Sequence, residues 1–210
     1  MKRIALTFDD GPNTVTTPQV LDILQEQGIV ASFFLIADNI DEASALVAQR
    51  ALALGCELNN HSKTHSRMSG MTAAEIRSEV EYCSERIIAL AGRAPRFFRP
   101  PYIDVSRTLY DKVDLTFICG AGCKDWLPET SVEERVRLTL ENARDGEIIL
   151  LHDSMGNTNT VEALREIIPS LRQQGYSFVT CGELFDQCGV TPQKGWLYSN
   201  VYQKDADDRL

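Results

Sequence analysis

The chain has no apolar run long enough to cross a bilayer. Its longest, Val30 to Ala37, is broken by Ser32 and falls well short of the ~20 residues that a span requires. It also lacks a basic excess: 21 Lys and Arg face 30 Asp and Glu, for a net charge of −9 and no basic block. That removes the footprint of a nucleic-acid binder and argues against an anionic membrane surface. A neutral or cationic substrate is the better match. No Gly-x-Ser-x-Gly stretch is present, so the strained serine elbow of acyl-enzyme hydrolases is missing. The six cysteines, Cys56, Cys83, Cys119, Cys123, Cys181 and Cys188, form no Cys-x-x-Cys pair. Most sit beside apolar residues, and a chain of this size builds its core without staples, so buried thiols are expected rather than bridges. Met1-Lys2-Arg3 runs straight into Ile4–Phe8 and two aspartates, without the apolar h-region of a leader. The expected location is therefore cytoplasmic, or extracellular if the chain is a domain trimmed from a longer secreted enzyme.

What remains is a globular composition, 43% hydrophobic and 24% charged over 210 residues. Residues 1–210 read as a single catalytic domain, with no repeat, linker or low-complexity tract. Apolar runs alternate with amphipathic helices. Strands are expected at Arg3–Phe8, Ala31–Ile36, Arg96–Arg99, Leu115–Cys119, Glu147–Leu151 and Ser177–Thr180. Helices are expected at Pro18–Gln27, Asp41–Leu54, Thr72–Ala91, Ser106–Lys112, Ser131–Arg144, Val161–Gln174 and Glu183–Gln187. Thr72-Ala73-Ala74-Glu75 and Ser131-Val132-Glu133-Glu134 read as capping boxes, and Gly28, Gly55, Gly92 and Gly175 as helix stops. The polar tail after Lys204 is expected to fray. Such alternation means β/α units around a mostly parallel sheet, either a barrel or an open doubly wound sheet.

Sites in such folds are built at the strand ends, and the polar residues there are unusual. The first strand runs into Asp9-Asp10-Gly11-Pro12; two adjacent carboxylates are costly to bury unless something positive neutralises them. His61-Ser62-Lys63-Thr64-His65 offers two imidazoles at i and i+4, expected on one face of a helical turn where they can grip one ion. Two histidines plus one carboxylate leave open positions on a divalent metal, as catalytic sites require. The third and last histidine, His152, ends an otherwise apolar strand, Arg99 precedes Pro100-Pro101-Tyr102, and Asp125 precedes Trp126. A guanidinium can orient a carboxylate, and a carboxylate beside an aromatic can hold a histidine while the ring walls a pocket. Each item alone has a plain structural explanation: a solvated turn, surface histidines, an arginine before a proline turn.

Taken in order, Thr7–Pro12, His61-Ser62-x-x-His65, Arg99-Pro100-Pro101-Tyr102, Asp125-Trp126 and Leu150-x-His152 resemble the five motifs of the polysaccharide deacetylase family. These are the NodB-homology enzymes of carbohydrate esterase family four. Arg96-Phe97-Phe98-Arg99-Pro100-Pro101 and Asp125-Trp126-Leu127-Pro128 look most like its bacterial acetylxylan-esterase branch. The resemblance implies a distorted (β/α)7 barrel. It implies a hydrolase that removes acetyl groups from polysaccharide or oligosaccharide and releases acetate, either O-acetyl from xylan or N-acetyl from N-acetylglucosamine polymers. By the same resemblance Asp10, His61 and His65 would bind one divalent metal, zinc first, with cobalt, nickel or manganese as alternatives. Asp9 would be the base, held by Arg99, and His152 the acid, tuned by Asp125. The Tyr102 N–H would serve an oxyanion hole, and Trp126 and Leu150 would line the acetyl pocket. Two other readings compete: an amidohydrolase acting on a small C–N substrate, and a sugar-binding relative without catalysis. The sequence departs from the family in three places. Gly122 stands where many members carry an aspartate, which bears on groove shape; Asn59-Asn60 precedes His61 where Gly-Asn is common; and Lys124 is a rival partner for Asp125.

Overall fold

A computed structural model describes residues 2–204. The tail expected to fray, 205–210, lies outside the described residues. Among the described residues nine strands follow in chain order: β1 Lys2–Asp9, β2 Ser32–Leu35, β3 Glu57–Asn60, β4 Phe97–Phe98, β5 Thr116–Ile118, β6 Ala121–Gly122, β7 Glu147–His152, β8 Tyr176–Phe178 and β9 Leu197–Tyr198. Seven α-helices alternate with them: α1 Thr16–Gln27, α2 Glu42–Ala53, α3 Ala73–Ala91, α4 Arg107–Lys112, α5 Val132–Asn142, α6 Thr158–Gln173 and α7 Cys181–Cys188.

The strands pair in the order β6-β7-β1-β2-β3-β4-β5-β9, every pair parallel, with β8 on the first residues of β1. The sheet is curled and open, a distorted barrel in which the segment after β9 reaches across the gap. Ile148 N–H donates to Ser199 O at 2.9 Å and Val201 N–H to Gly146 O at 2.9 Å.

Period-two alternation along β1 divides the core. Ile4, Leu6 and Phe8 face outward into the layer shared with Val20, Leu21 and Leu24 of α1 and Leu164 and Ile168 of α6. Ala5 faces inward among Phe34, Phe97, Ile118 and Ile148. Phe8 and Phe33 stack at 5.3 Å on the outer face, and full burial of such a side chain stabilises by roughly 1.5–3 kcal/mol. Toward the strand ends the inward positions turn polar, at Thr7 and Asp9, both buried.

Three strands were not expected from the sequence. In β3 the side chains of Glu57, Asn59 and Asn60 are all buried, so hydrophobic patterning carries no signal for it. The strands β6 and β9 hold two residues each, too few for any periodicity. The box at Thr72 forms: Thr72 Oγ1 accepts from Glu75 N–H and the Glu75 carboxylate accepts from Thr72 N–H. The box at Ser131 forms by half. Ser131 Oγ accepts from Glu134 N–H at 3.2 Å, but the Glu134 carboxylate pairs with Arg137 instead of reaching back. All six cysteines are free thiols, five of them buried.

Candidate active site

The register of the sheet assembles the site. Asp9 at the end of β1 pairs with His152 at the end of β7, and Asn60 at the end of β3 pairs with Phe98 in β4. His61 and Arg99 follow directly, so residues far apart in sequence emerge on one rim.

His61 and His65 do not share a helical turn, contrary to the i, i+4 expectation. The segment is a loop in which Ser62 and His65 take left-handed φ values of 68° and 61°. The loop is held by side chains: Ser62 N–H donates to Asn60 Oδ1 at 2.8 Å, His65 N–H to Ser62 Oγ at 3.0 Å, and Lys63 N–H to Glu79 at 3.1 Å. The Asn60 amide is fixed in turn by Val80 O and Ser84 Oγ. Asn60 therefore anchors the histidine loop to α3.

Asp10, also left-handed at φ 73°, brings Oδ1 to 3.5 Å from His61 Nε2 and 3.4 Å from His65 Nε2. Each of the three residues offers one ligand atom, all within 4.8 Å of one another. His61 Nδ1 lies 2.6 Å from Arg99 O; a carbonyl only accepts, so Nδ1 carries the hydrogen and Nε2 is the ring nitrogen turned inward, toward Asp10. Asp10 Oδ1 is buried without a hydrogen-bond partner. Converging lone pairs with an orphaned carboxylate oxygen fit a divalent cation. The Asp10 carboxyl loses solvation by burial, yet the close approach of His61 and the charges of His61, His152 and His65 hold it down at about 2. His65 is lowered below the ordinary histidine range by burial and by His61, which favours the neutral, ligating form.

Asp9 is buried against Arg99, itself fully buried, through Arg99 Nη1 and Asp9 Oδ1. Arg99 Nη2 donates to Thr7 Oγ1 at 2.9 Å, Thr7 donates onward to Ile149 O at 2.7 Å, and Phe34 presents its ring face 4.2 Å from the guanidinium. Such a pair is expensive to break, because removing one partner strands the other charge. Across the cleft His152 Nδ1 lies 2.8 Å from Asp125 Oδ1, while Asp125 Oδ2 accepts from His152 N–H at 2.7 Å. Burial opposes charge on His152, but the Asp125 hydrogen bond and the carboxylates of Asp125, Asp9 and Asp10 outweigh it and lift the ring to about 9. Lys124 forms no ion pair with Asp125 among the described residues, so the expected rivalry is absent.

A cleft of about 370 Å³ joins these groups, lined by Asp9, Asp10, His61, His65, Tyr102, Trp126, Leu150 and His152 among others. Arg99 and Asp125 stand behind that surface. Trp126 is 51% exposed and meets His152 edge-on at 5.6 Å. A Cβ at Gly122 would lie 3.2 Å from the Trp126 ring, so glycine lets the indole approach the backbone there. The Tyr102 backbone is left-handed at φ 58°, and its ring meets His65 at a tilt of 56°, with ring centroids 4.6 Å apart.

Sequence reasoning missed Asp153. It is fully buried, its carboxyl is pushed up to about 7 by burial, and Thr17 Oγ1 donates to Oδ2. Gly11 packs so closely that a Cβ there would lie 2.6 Å from this carboxylate. The only sequence signal was its place directly after His152. Thr160 and Arg135, which lie behind Asp125, left no signal at all.

The family model for polysaccharide deacetylase matches residues 1–117. A bifunctional xylanase/deacetylase of Pseudobutyrivibrio xylanivorans is 48% identical over 201 residues, 95% of this chain and 33% of that protein, so the chain spans a third of its length. The crystal structure of the Xyl-CE4 domain of a multidomain xylanase from the hindgut metagenome of Trinervitermes trinervoides superposes with a TM-score of 0.95 at 48% identity, covering 97% of this chain and 99% of that one. A family 4 acetyl xylan esterase from Clostridium thermocellum, solved with a cobalt ion, superposes with a TM-score of 0.93 at 40% identity, covering 96% of this chain and all of that one. This chain therefore belongs to the polysaccharide deacetylase family, carbohydrate esterase family four, in its acetylxylan-esterase-like branch.

Proposed function

We propose that the protein is a divalent-metal-dependent hydrolase that removes acetyl groups from acetylated polysaccharide, with O-acetylated xylan as its substrate. The reading rests on one arrangement: an Asp10–His61–His65 cluster flanked in a single cleft by the Arg99-bound Asp9 and the Asp125-bound His152. The preference for xylan is supported by the names of the relatives, a xylanase/deacetylase and an acetyl xylan esterase.

Asp10, His61 and His65 would hold the metal, with zinc or cobalt suited to two imidazoles and one carboxylate. When bound, it supplies Lewis acidity, lowering the pKa of water and polarising an acetyl carbonyl. The chain's own groups do the rest. Asp9 keeps Oδ1 on Arg99 and turns Oδ2 toward the cleft, where it takes the proton of the attacking water. His152, protonated at neutral pH, gives its proton to the departing sugar oxygen. Each positioned proton transfer contributes roughly 10²–10⁴-fold. The Tyr102 N–H would share the charge that develops on the carbonyl oxygen, while Trp126 and Leu150 shelter the methyl.

Acetate release from acetylated xylan and from chitooligosaccharides, with chelated and with zinc- or cobalt-loaded protein, tests this. Metal-dependent release from xylan supports it, and faster release from the chitooligosaccharide moves the substrate to N-acetyl sugars. Turnover of neither with metal present overturns the deacetylase reading and favours a small C–N substrate or a non-catalytic role.

A further inference from the structure

Behind Asp125 lies a buried cation that the catalytic account so far leaves unused. Arg135 on α5 is 2% exposed. Its Nε donates to Thr130 O at 3.0 Å and Nη2 to Leu127 O at 3.3 Å. Its Nη1 donates to Asn157 Oδ1 and, at 2.8 Å, to Thr160 Oγ1. Thr160, fully buried in α6, sits 2.9 Å from Asp125 Oδ2. Arginine has only donors and an ionised carboxylate only acceptors. Thr160 Oγ1 therefore accepts from Arg135 and must spend its single hydrogen on Asp125. The direction of every hydrogen in the chain Arg135–Thr160–Asp125–His152 is thus determined.

We propose that Arg135 and Thr160 are positioning residues for the acid step, which fix Asp125 and draw on its charge and so limit how tightly His152 keeps its proton. An acid that holds its proton too tightly is slow to release it to a leaving group. Asp125 alone pulls toward tight retention; a buried guanidinium relayed through one hydroxyl draws density off the carboxylate and opposes that pull. Asp9 and Asp10 from β1 act on His152 from the cleft side, and Arg99 offsets Asp9 there. On the side of Asp125 away from the cleft, Cys123 is a neutral thiol pushed up to about 12 by burial and by Asp125, and Lys124 is exposed. Arg135 is the buried cation on that side. The inference rests on the deacetylase reading for its catalytic consequence, but not for the electrostatics.

Removing Arg135 breaks four hydrogen bonds and threatens the fold, so the test is Thr160→Val, which keeps shape and deletes the hydroxyl, with Thr160→Ser restoring it. Two readouts are taken on zinc-loaded protein: the pH profile of kcat and KM on acetylated xylan, and the NMR titration of the His152 ring. The chain has only three histidines, so a His152→Gln spectrum assigns that ring. Thr160→Val is expected to lower kcat about threefold or more at unchanged KM, and to move the alkaline limb and the ring titration upward by about half a pH unit or more. Thr160→Ser is expected to return both to the wild-type pH. A ring titration and limb that coincide in Thr160→Val and wild type overturn the proposal, as does Thr160→Ser shifting as far as Thr160→Val. If wild type releases no acetate while the ring shifts as stated, the deacetylase reading falls and the electrostatic relay stands.

Discussion

The two ends of the barrel bury carboxylates by opposite means. At the end remote from the cleft, Glu57 in β3 has its Oε2 saturated by Ser32 Oγ at 2.9 Å, Gly182 N–H at 3.1 Å and Asn59 Nδ2 at 3.2 Å. At the cleft end, Asp10 Oδ1, Asp153 Oδ1 and Arg99 Nε are buried without a hydrogen-bond partner, and among the described residues Thr139 Oγ1 on α5 is the other such side-chain atom. Burying a polar atom unpaired costs about 1–3 kcal/mol, so orphans concentrated on one rim mark the place where stability has been given up for ligand and proton chemistry. The saturated rim exists for the fold. The left-handed backbones of Asp10, Ser62, His65 and Tyr102 all belong to the unsaturated one.

That contrast can be broken most severely at the proposed metal ligands. His61→Ala is expected to abolish tight zinc binding and reduce acetate release by more than about a thousandfold, read by metal titration and by assay. A variant with tight binding and activity intact would remove the functional meaning of the orphaned rim. The opposite rim should respond the other way. Glu57→Ala leaves Ser32, Asn59 and Gly182 donors unpaired and is expected to cost about 2–4 kcal/mol in denaturant unfolding, with kcat unchanged below the transition. Loss of kcat in that folded variant would erase the division of labour.

The pH dependence sharpens the comparison. His152 is raised from its ordinary range to about 9, so its share of stability is fully present below pH 6.5 and is lost as pH rises toward 9. The acid is protonated below that limb, so kcat is expected to fall with rising pH, with a limb at or below about 9. A metal on Asp10 weakens one of the carboxylate charges that lift the ring, and moves the limb downward. A rate that climbs through pH 9 would contradict His152 as proton donor. The smallest effect is expected at Lys124. With both Asp125 oxygens engaged by His152 and Thr160, Lys124→Ala should change kcat by less than about twofold; a larger loss would reinstate the lysine as a partner.

Legibility in the sequence followed the same division. Strands with apolar alternation, such as β1 and β7, and the Thr72 cap could be read locally, because periodicity and capping are near-neighbour physics. β3 could not, since Glu57-Leu58-Asn59-Asn60 buries polar side chains whose partners lie on β2, α3 and α7. The residues brought into the cleft were legible through motif order. The way they meet was not: a helical turn was expected for His61 and His65, and loop hydrogen bonds to Asn60 and Glu79 hold them instead. Asp153, Thr160 and Arg135 acquire meaning only from contacts between helices and strand-end loops, which no spacing rule encodes.

The account turns on which of two adjacent aspartates faces the metal, and calorimetric titration of zinc into Asp9→Asn and Asp10→Asn decides it. Asp9→Asn should bind zinc within about threefold of wild type while losing turnover, and Asp10→Asn should bind it at least about a hundredfold more weakly. The reverse order, with Asp9→Asn stripped of metal and Asp10→Asn still loaded, would contradict the assignment of base and ligand on which the mechanism stands.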